Sequence, residues 1–315
     1  MYKKLACVFA CACLLVSVGC GGNNQKAATT QNQVYLQLTD DAGRKIVLPK
    51  KPERIVALSP SYLEPIDAIG GQIIGRPTAK RGAVPKSMEK ATEVGHTFNV
   101  NMESVVGLKP DLVLASKSQH AKFISLLESN KINTLEFQMH TYNEVKGFID
   151  ALGKIYNKPE QAKKLCDKMD AEVKVVLDKL PKEKKKVVIL FATANSVTVS
   201  GSQSVAGCIS DMMGFENVAA KALKGNSEKT PYSMEKLVEQ NPDIIYITSM
   251  GKADKIQKRL QADFESNPAW RGLDAVKNKR VYALPEEKFL LNPGIHYPEA
   301  VEFMAKKAYP EAFSK

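Results

Sequence analysis

The stretch NMESVVGLKPDLVLAS at 101–116 returns later in the chain as SMEKLVEQNPDIIYITS at 233–249. Met102, Glu103, Val106, Pro110 and Asp111 recur as Met234, Glu235, Val238, Pro242 and Asp243, at a constant offset of 132 positions (102 to 234, 111 to 243). Each copy reads as an amphipathic helix, a Pro-Asp turn and a continuous apolar strand. A repeat of a whole supersecondary unit restricts the fold more than composition does. It predicts two similar α/β lobes.

Between the copies lies PEQAKKLCDKMDAEVKVVLDKLP, Pro159 to Pro181, with no internal Gly or Pro. Ala162, Leu165, Cys166, Met169, Val173, Val176, Leu177 and Leu180 fall at a 3/4 spacing, one buried helical stripe. Pro159 suits a first helical turn and Pro181 stops the helix. The chain therefore divides into an N-terminal lobe at 34–157, an interlobe helix at 158–181 and a C-terminal lobe at 182–315. Strands alternating with helices in both lobes predict mostly parallel sheets.

The first 33 residues are a different kind of chain. MYKK is a short basic head, and LACVFACACLLV is too short to span a bilayer. Ser17-Val18-Gly19-Cys20 then resembles a bacterial lipobox. Residues 1–19 read as a lipoprotein signal peptide, Cys20 as the lipidated first mature residue, and 20–33 as a polar tether. This predicts an extracytoplasmic protein on a lipid anchor, either periplasmic or on the outer face of the cell membrane. The formal net charge is +11, with Lys3 and Lys4 in the leader. The remaining lysines are spread over helix faces rather than clustered with aromatics, which argues against nucleic acid as a partner. Cys166 and Cys208 have no CxxC spacing and read as free thiols. No GxSxG, HExxH, GxxxxGK[ST] or GxGxxG is present, so enzymatic activity is not expected.

In parallel sheets, ligands collect beyond the carboxyl ends of strands, here in a cleft between the lobes. The segments ending there are Ser59–Tyr62, Ser116–His120, Gln138–His140 and Ser249–Met250, with loops at His96–Phe98 and Phe289–Tyr297 within reach.

The lipobox, RIVALSPSYLEPIDAIGG, VGHTFNVNMESVVGLKPDLVLAS and the single interlobe helix together resemble the iron-siderophore, haem and vitamin B12 class of ABC-importer substrate-binding proteins. The resemblance spans roughly residues 34–310. It implies a monomer that captures a small-molecule metal chelate, with no intrinsic cofactor, and passes it to an ABC permease. It also implies a docking carboxylate on each lobe, facing permease arginines. Glu64 in SPSYLEPI and Asp211 in GCISDMMG match those positions, although Ser61-x-x-Glu64 also fits a helix capping box.

The ligand remains open between several chemistries. Haem comes first: in similar haem-binding lipoproteins each lobe gives one axial ligand, which would make His96 and Met250 a His/Met pair. A ferric siderophore comes next, with Arg76 and Arg81 as anion partners. A corrinoid, a transition-metal ion bound directly by His120, His140 and His296, and a chelatase-like enzyme using those histidines are the alternatives. Ser61, Tyr62, Phe98, Phe289 and Tyr297 complete the candidate lining, the aromatics suiting a flat macrocycle.

Overall fold

The computed structural model describes residues 34–79, 84–220, 223, 229–231, 233–290 and 292–314. Cys20, the tether and Arg81 lie outside the described residues.

The chain opens with a hairpin of β1 (Leu36–Thr39) and β2 (Lys45–Leu48). Asp40 turns it, accepting from the N–H groups of Ala42 and Arg44, and Arg44 pairs with Asp40 and Glu136. The N-terminal lobe then runs through β3 (Ile55–Ala57), α1 (Leu63–Ala68), β4 (Gly75–Arg76), β5 (Thr92–Glu93), a small hairpin of β6 (Gly95–His96) and β7 (Asn99–Val100), α2 (Met102–Gly107), β8 (Leu112–Ser116), α3 (Lys117–Ser129) and β9 (Thr134–Phe137). Its sheet has the order β5-β4-β3-β8-β9 with parallel pairing. Two helices follow, α4 (Tyr142–Tyr156) and α5 (Pro159–Leu177).

The C-terminal lobe contains β10 (Lys186–Ala192), β11 (Val197–Ser200), α6 (Val205–Met212), β12 (Glu216–Asn217), β13 (Lys229–Pro231), α7 (Met234–Gln240) and β14 (Ile244–Ser249). It continues with α8 (Ala253–Leu260), α9 (Pro268–Gly272), α10 (Asp274–Lys277), β15 (Val281–Ala283), α11 (Glu286–Phe289), α12 (Tyr297–Ala308) and α13 (Pro310–Phe313). Here β10, β14, β15 and the short β12 pair in parallel, while β11 and β13 add an antiparallel edge.

The duplication extends to individual hydrogen bonds. Leu112 pairs with Ile55, and Ile244 pairs with Val187, each shifted by 132. Asn101 caps α2 by accepting from Ser104 N–H, and Ser233 caps α7 by accepting from Lys236 N–H. Lys109 and Asn241 both take the left-handed conformation, φ 48° and 42°, just before each Pro-Asp. Asp111 accepts from the N–H groups of Glu53 and Arg54, and Asp243 from Lys186 N–H. The repeated Asp thus satisfies backbone donors at the start of the neighbouring strand.

α5 buries Ala162, Cys166, Met169, Val173 and Val176 against α4 and α12. One apolar cluster runs from Ile55, Leu112 and Leu135 through this helix to Val187, Ile244 and Tyr246, so the two lobes share a core on the helix side. The opposite sheet faces have separate cores, around Val113 and Ile245 respectively. Cys166 is buried and Cys208 half-buried, both as free thiols, and burial pushes the Cys166 thiol up to about 11.

Candidate functional site

The strand ends meet in a cavity of about 100 Å³. Ser59–Tyr62 follow β3, Ser116, Ser118 and Gln119 follow β8, and Phe137–His140 end and follow β9. Thr97 and Phe98, the tip of the β6–β7 hairpin, overhang it. The C-terminal lobe contributes Leu290 and Asn292. Ligand pockets usually hold roughly 300–1,000 Å³, so this cavity is smaller than a site that encloses a drug-sized molecule.

The floor is rigid. Tyr62 is buried, and its hydroxyl donates between the carbonyls of Ala115 (3.0 Å) and Phe137 (3.2 Å), tying the ends of β8 and β9. Burial pushes its phenol far above the ordinary range. Its ring lies against Phe148 and meets Phe137 edge-on. His140 N–H and Thr141 N–H both donate to Glu144, and Thr141 accepts from Glu144 N–H, which makes the capping box of α4. His140 lines the cavity, and its Nδ1 accepts from Gln138 Nε2 at 2.8 Å.

Two amide atoms in this lining are buried and have no hydrogen-bond partner in the protein: Gln119 Oε1 and Asn292 Nδ2. One is an acceptor on the N-terminal lobe, the other a donor on the C-terminal lobe. A stranded buried polar group costs roughly 1–3 kcal/mol. A ligand bonding to both sides would remove that cost.

Several expected residues stand elsewhere. His96 is exposed on β6 and does not line the cavity; its hairpin places Thr97 and Phe98 there instead. Met250 is exposed after β14 and is also absent from the lining. The His96/Met250 axial pair therefore has no place in this cavity. His120 is fully buried: Nδ1 accepts from Ser116 N–H at 2.8 Å, and Nε2 donates to Thr97 O at 2.9 Å. Both nitrogens are occupied, so it holds the hairpin rather than a metal. Arg76 is turned to Glu93, 3.0 Å away. Phe289 is buried against Phe303, and Tyr297 is buried against Tyr142 with its hydroxyl donating to His140 O. These two are packing residues between and within lobes.

The remaining candidates are on the surface. Asp211 is exposed on α6. Glu64 is half-exposed on α1 and accepts from His296 Nε2 at 2.9 Å; the Ser61–Glu64 capping box does not form, because α1 starts with no side-chain cap. His296 thus lies outside the cavity. Among the described residues no group of three or more His, Cys, Asp or Glu is arranged to hold a metal ion, and no helix is long and apolar enough to cross a membrane.

Of the strand-end segments Ser59–Tyr62, Ser116–His120, Gln138–His140 and Ser249–Met250, the first three contribute lining to this cavity, His120 excepted, and Ser249–Met250 does not. Gln119 and Asn292 carried no individual signal, since an amide's importance here lies in its lack of a partner.

Known proteins with this architecture have transport roles. The model of the periplasmic binding protein family matches residues 55–288. An uncharacterized ABC transporter substrate-binding lipoprotein of Bacillus subtilis, YvrC, is 30% identical over 99% of this chain and 100% of its own. The Fe(3+)-citrate-binding protein YfmC of the same organism is 29% identical over 95% of this chain and 94% of its own. The crystal structure of Staphylococcus aureus IsdE complexed with haem superposes with a TM-score of 0.71 at 26% identity, covering 81% of this chain and 98% of that one. With one family model spanning most of its length and a relative aligned end to end, the chain belongs to the periplasmic binding protein family.

Proposed function

We propose that this chain is a lipid-anchored, extracytoplasmic substrate-binding protein that closes its two lobes on a metal chelate and delivers it to an ABC permease. The observation that carries the reading is the pair Gln119 Oε1 and Asn292 Nδ2, buried polar atoms from opposite lobes left without protein partners in one cavity. A chelate that offers a donor to one and an acceptor to the other joins the lobes through its own rim.

The make-up of the lining supports a narrower reading of the ligand class. Among the described residues it consists of hydroxyls, amides, one imidazole and apolar groups, with no Lys, Arg, Asp or Glu. A buried polyanion needs opposite charges at hand. The cavity therefore suits a chelate with an uncharged, hydrogen-bonding rim, such as a ferric hydroxamate siderophore or an amide-bearing corrinoid, better than a citrate complex. Haem is the second reading, favoured by His140 in the lining, an imidazole of the residue type that holds haem iron.

Calorimetric titration of the purified protein with a ferric trihydroxamate, cyanocobalamin, ferric citrate and haemin decides between these. The expected result is binding of one of the first two, weakened about tenfold by Gln119→Ala and by Asn292→Ala, as for one lost hydrogen bond to a buried group. Haemin binding with a Soret shift lost in His140→Ala establishes the second reading. If all four leave the protein unchanged, the chelate assignment fails.

A further inference from the structure

Glu64 and His296 come from different lobes and meet beside the cleft. Glu64 Oε2 lies 2.9 Å from His296 Nε2, and Glu299 Oε1 lies 2.7 Å from His296 Nδ1. Lys288 pairs with the other oxygen of Glu299. Two carboxylates on opposite ring nitrogens are both served only when both nitrogens donate. Asp67 of α1 and Glu287 of α11 line the same surroundings, so the charges near the ring are mainly acidic.

The position of this pair matters more than its strength. A surface notch of about 350 Å³ holds Glu64, Glu287, Lys288, His296 and Glu299, and it shares Pro60, Ser61 and Asn292 with the ligand cavity. His296 ends a loop that Asn292 begins. Asn292 Oδ1 accepts from Gly294 N–H at 2.7 Å, and His296 N–H donates to Pro293 O at 2.9 Å. Gly294 has φ +52°, and a side chain there would sit 3.6 Å from Ser61 O, so the loop rests on the N-terminal lobe's backbone. One tight loop therefore carries the ligand-facing amide at one end and the imidazole on Glu64 at the other.

We propose that His296 is an interlobe latch on Glu64, and that a guanidinium of the permease releases it by taking the carboxylate. The proposal rests on the reading of Glu64 as a docking residue. A guanidinium is bidentate toward a carboxylate and outcompetes a single imidazole bond. Once Glu64 is taken, the 292–296 loop loses its hold on α1. Asn292 then withdraws from the ligand, so docking and ligand release become one event.

The test is hydrogen exchange of the backbone amides at Tyr62–Leu63 and Gly294–Tyr297 in the full chain. His296→Gln is expected to raise exchange there by threefold to fivefold, the range for a half-exposed ion pair. His296→Arg, which puts a guanidinium within reach of Glu64, is expected to restore protection. An arginine-amide probe is expected to raise exchange in the wild type and not in Glu64→Gln. Unchanged exchange in His296→Gln, or an equal response to the probe in Glu64→Gln, overturns the latch. Docking itself is read separately, by uptake in vesicles carrying the permease. Normal uptake with Glu64→Gln removes the docking role, whatever the exchange data show.

Discussion

His120 joins Ser116 and Thr97, accepting from the N–H of one at 2.8 Å and donating to the carbonyl of the other at 2.9 Å. The 23-residue separation between His120 and Thr97 makes this the tie that closes the Thr97–Phe98 tip over the cavity. The arrangement requires a neutral ring, and burial drives the imidazole down to about 4.

The pH dependence follows from that shift. In the unfolded chain the ring titrates near 6.5. Between pH 6.5 and 4 the unfolded state takes up a proton that the folded state refuses. His120 therefore contributes stability that is complete above pH 6.5 and is lost as pH falls toward 4, up to about 3 kcal/mol. Urea denaturation at pH 7.5 and 4.5 should show a steeper loss for the wild type than for His120→Gln. At pH 7.5 the variant should be less stable by roughly 1–3 kcal/mol, because the Ser116 and Thr97 groups lose their partner.

Tyr62→Phe should lower stability by about 1–2 kcal/mol while leaving the ring packing on Phe137 and Phe148 in place. The loss comes from the carbonyls of Ala115 and Phe137, which no longer share a hydroxyl. Equal urea midpoints for variant and wild type would contradict that role.

Gly207→Ala is expected to be severe. Its methyl group would lie 1.9 Å from Gly201 O, a backbone atom that cannot rotate away. The first turns of α6 would have to move off the loop at Gly201–Ser204, whose Ser204 caps the helix by accepting from Gly207 N–H. A loss of more than about 3 kcal/mol, or failure to accumulate as folded protein, is the predicted outcome.

Met169→Ala removes a buried side chain from the stripe of α5 and should cost about 2–5 kcal/mol. Because one apolar cluster passes through α5 into both lobes, the loss should appear in a single unfolding transition rather than in one lobe alone. Two separated transitions, seen by hydrogen exchange at β8 and β14, would show that the lobes unfold independently.

The duplicated half of the fold was legible because its chemistry is local. An N-cap, a left-handed residue and a Pro-Asp recur at one offset, and each satisfies backbone groups a few residues away or on the adjacent strand. The N-terminal-lobe segments that line the cavity follow strand ends for the same reason, whereas Ser249–Met250 at the end of β14 does not reach it. The histidines were not legible, because each role is set by a distant partner. His120 depends on Thr97, and His296 on Glu64 in the other lobe. His96 and Phe98 differ by which part of the six-residue hairpin Gly95–Val100 reaches the cavity, a choice made by packing rather than by residue type. The capping box expected at Ser61–Glu64 forms instead at Thr141–Glu144, where α4 begins without a preceding 3-10 turn.

The lobes share a strand register but divide their labour unequally. Apart from Leu290 and Asn292, every residue lining the cavity belongs to the N-terminal lobe, on four short segments at 59–62, 97–98, 116–119 and 137–140. Those segments behave like exchangeable bits in a fixed chuck. Replacing 97–98, 116–119 and 138–140 as a set would retune which cargo is held, while the duplicated strands and the surface bearing Glu64 and Asp211 stay as they are.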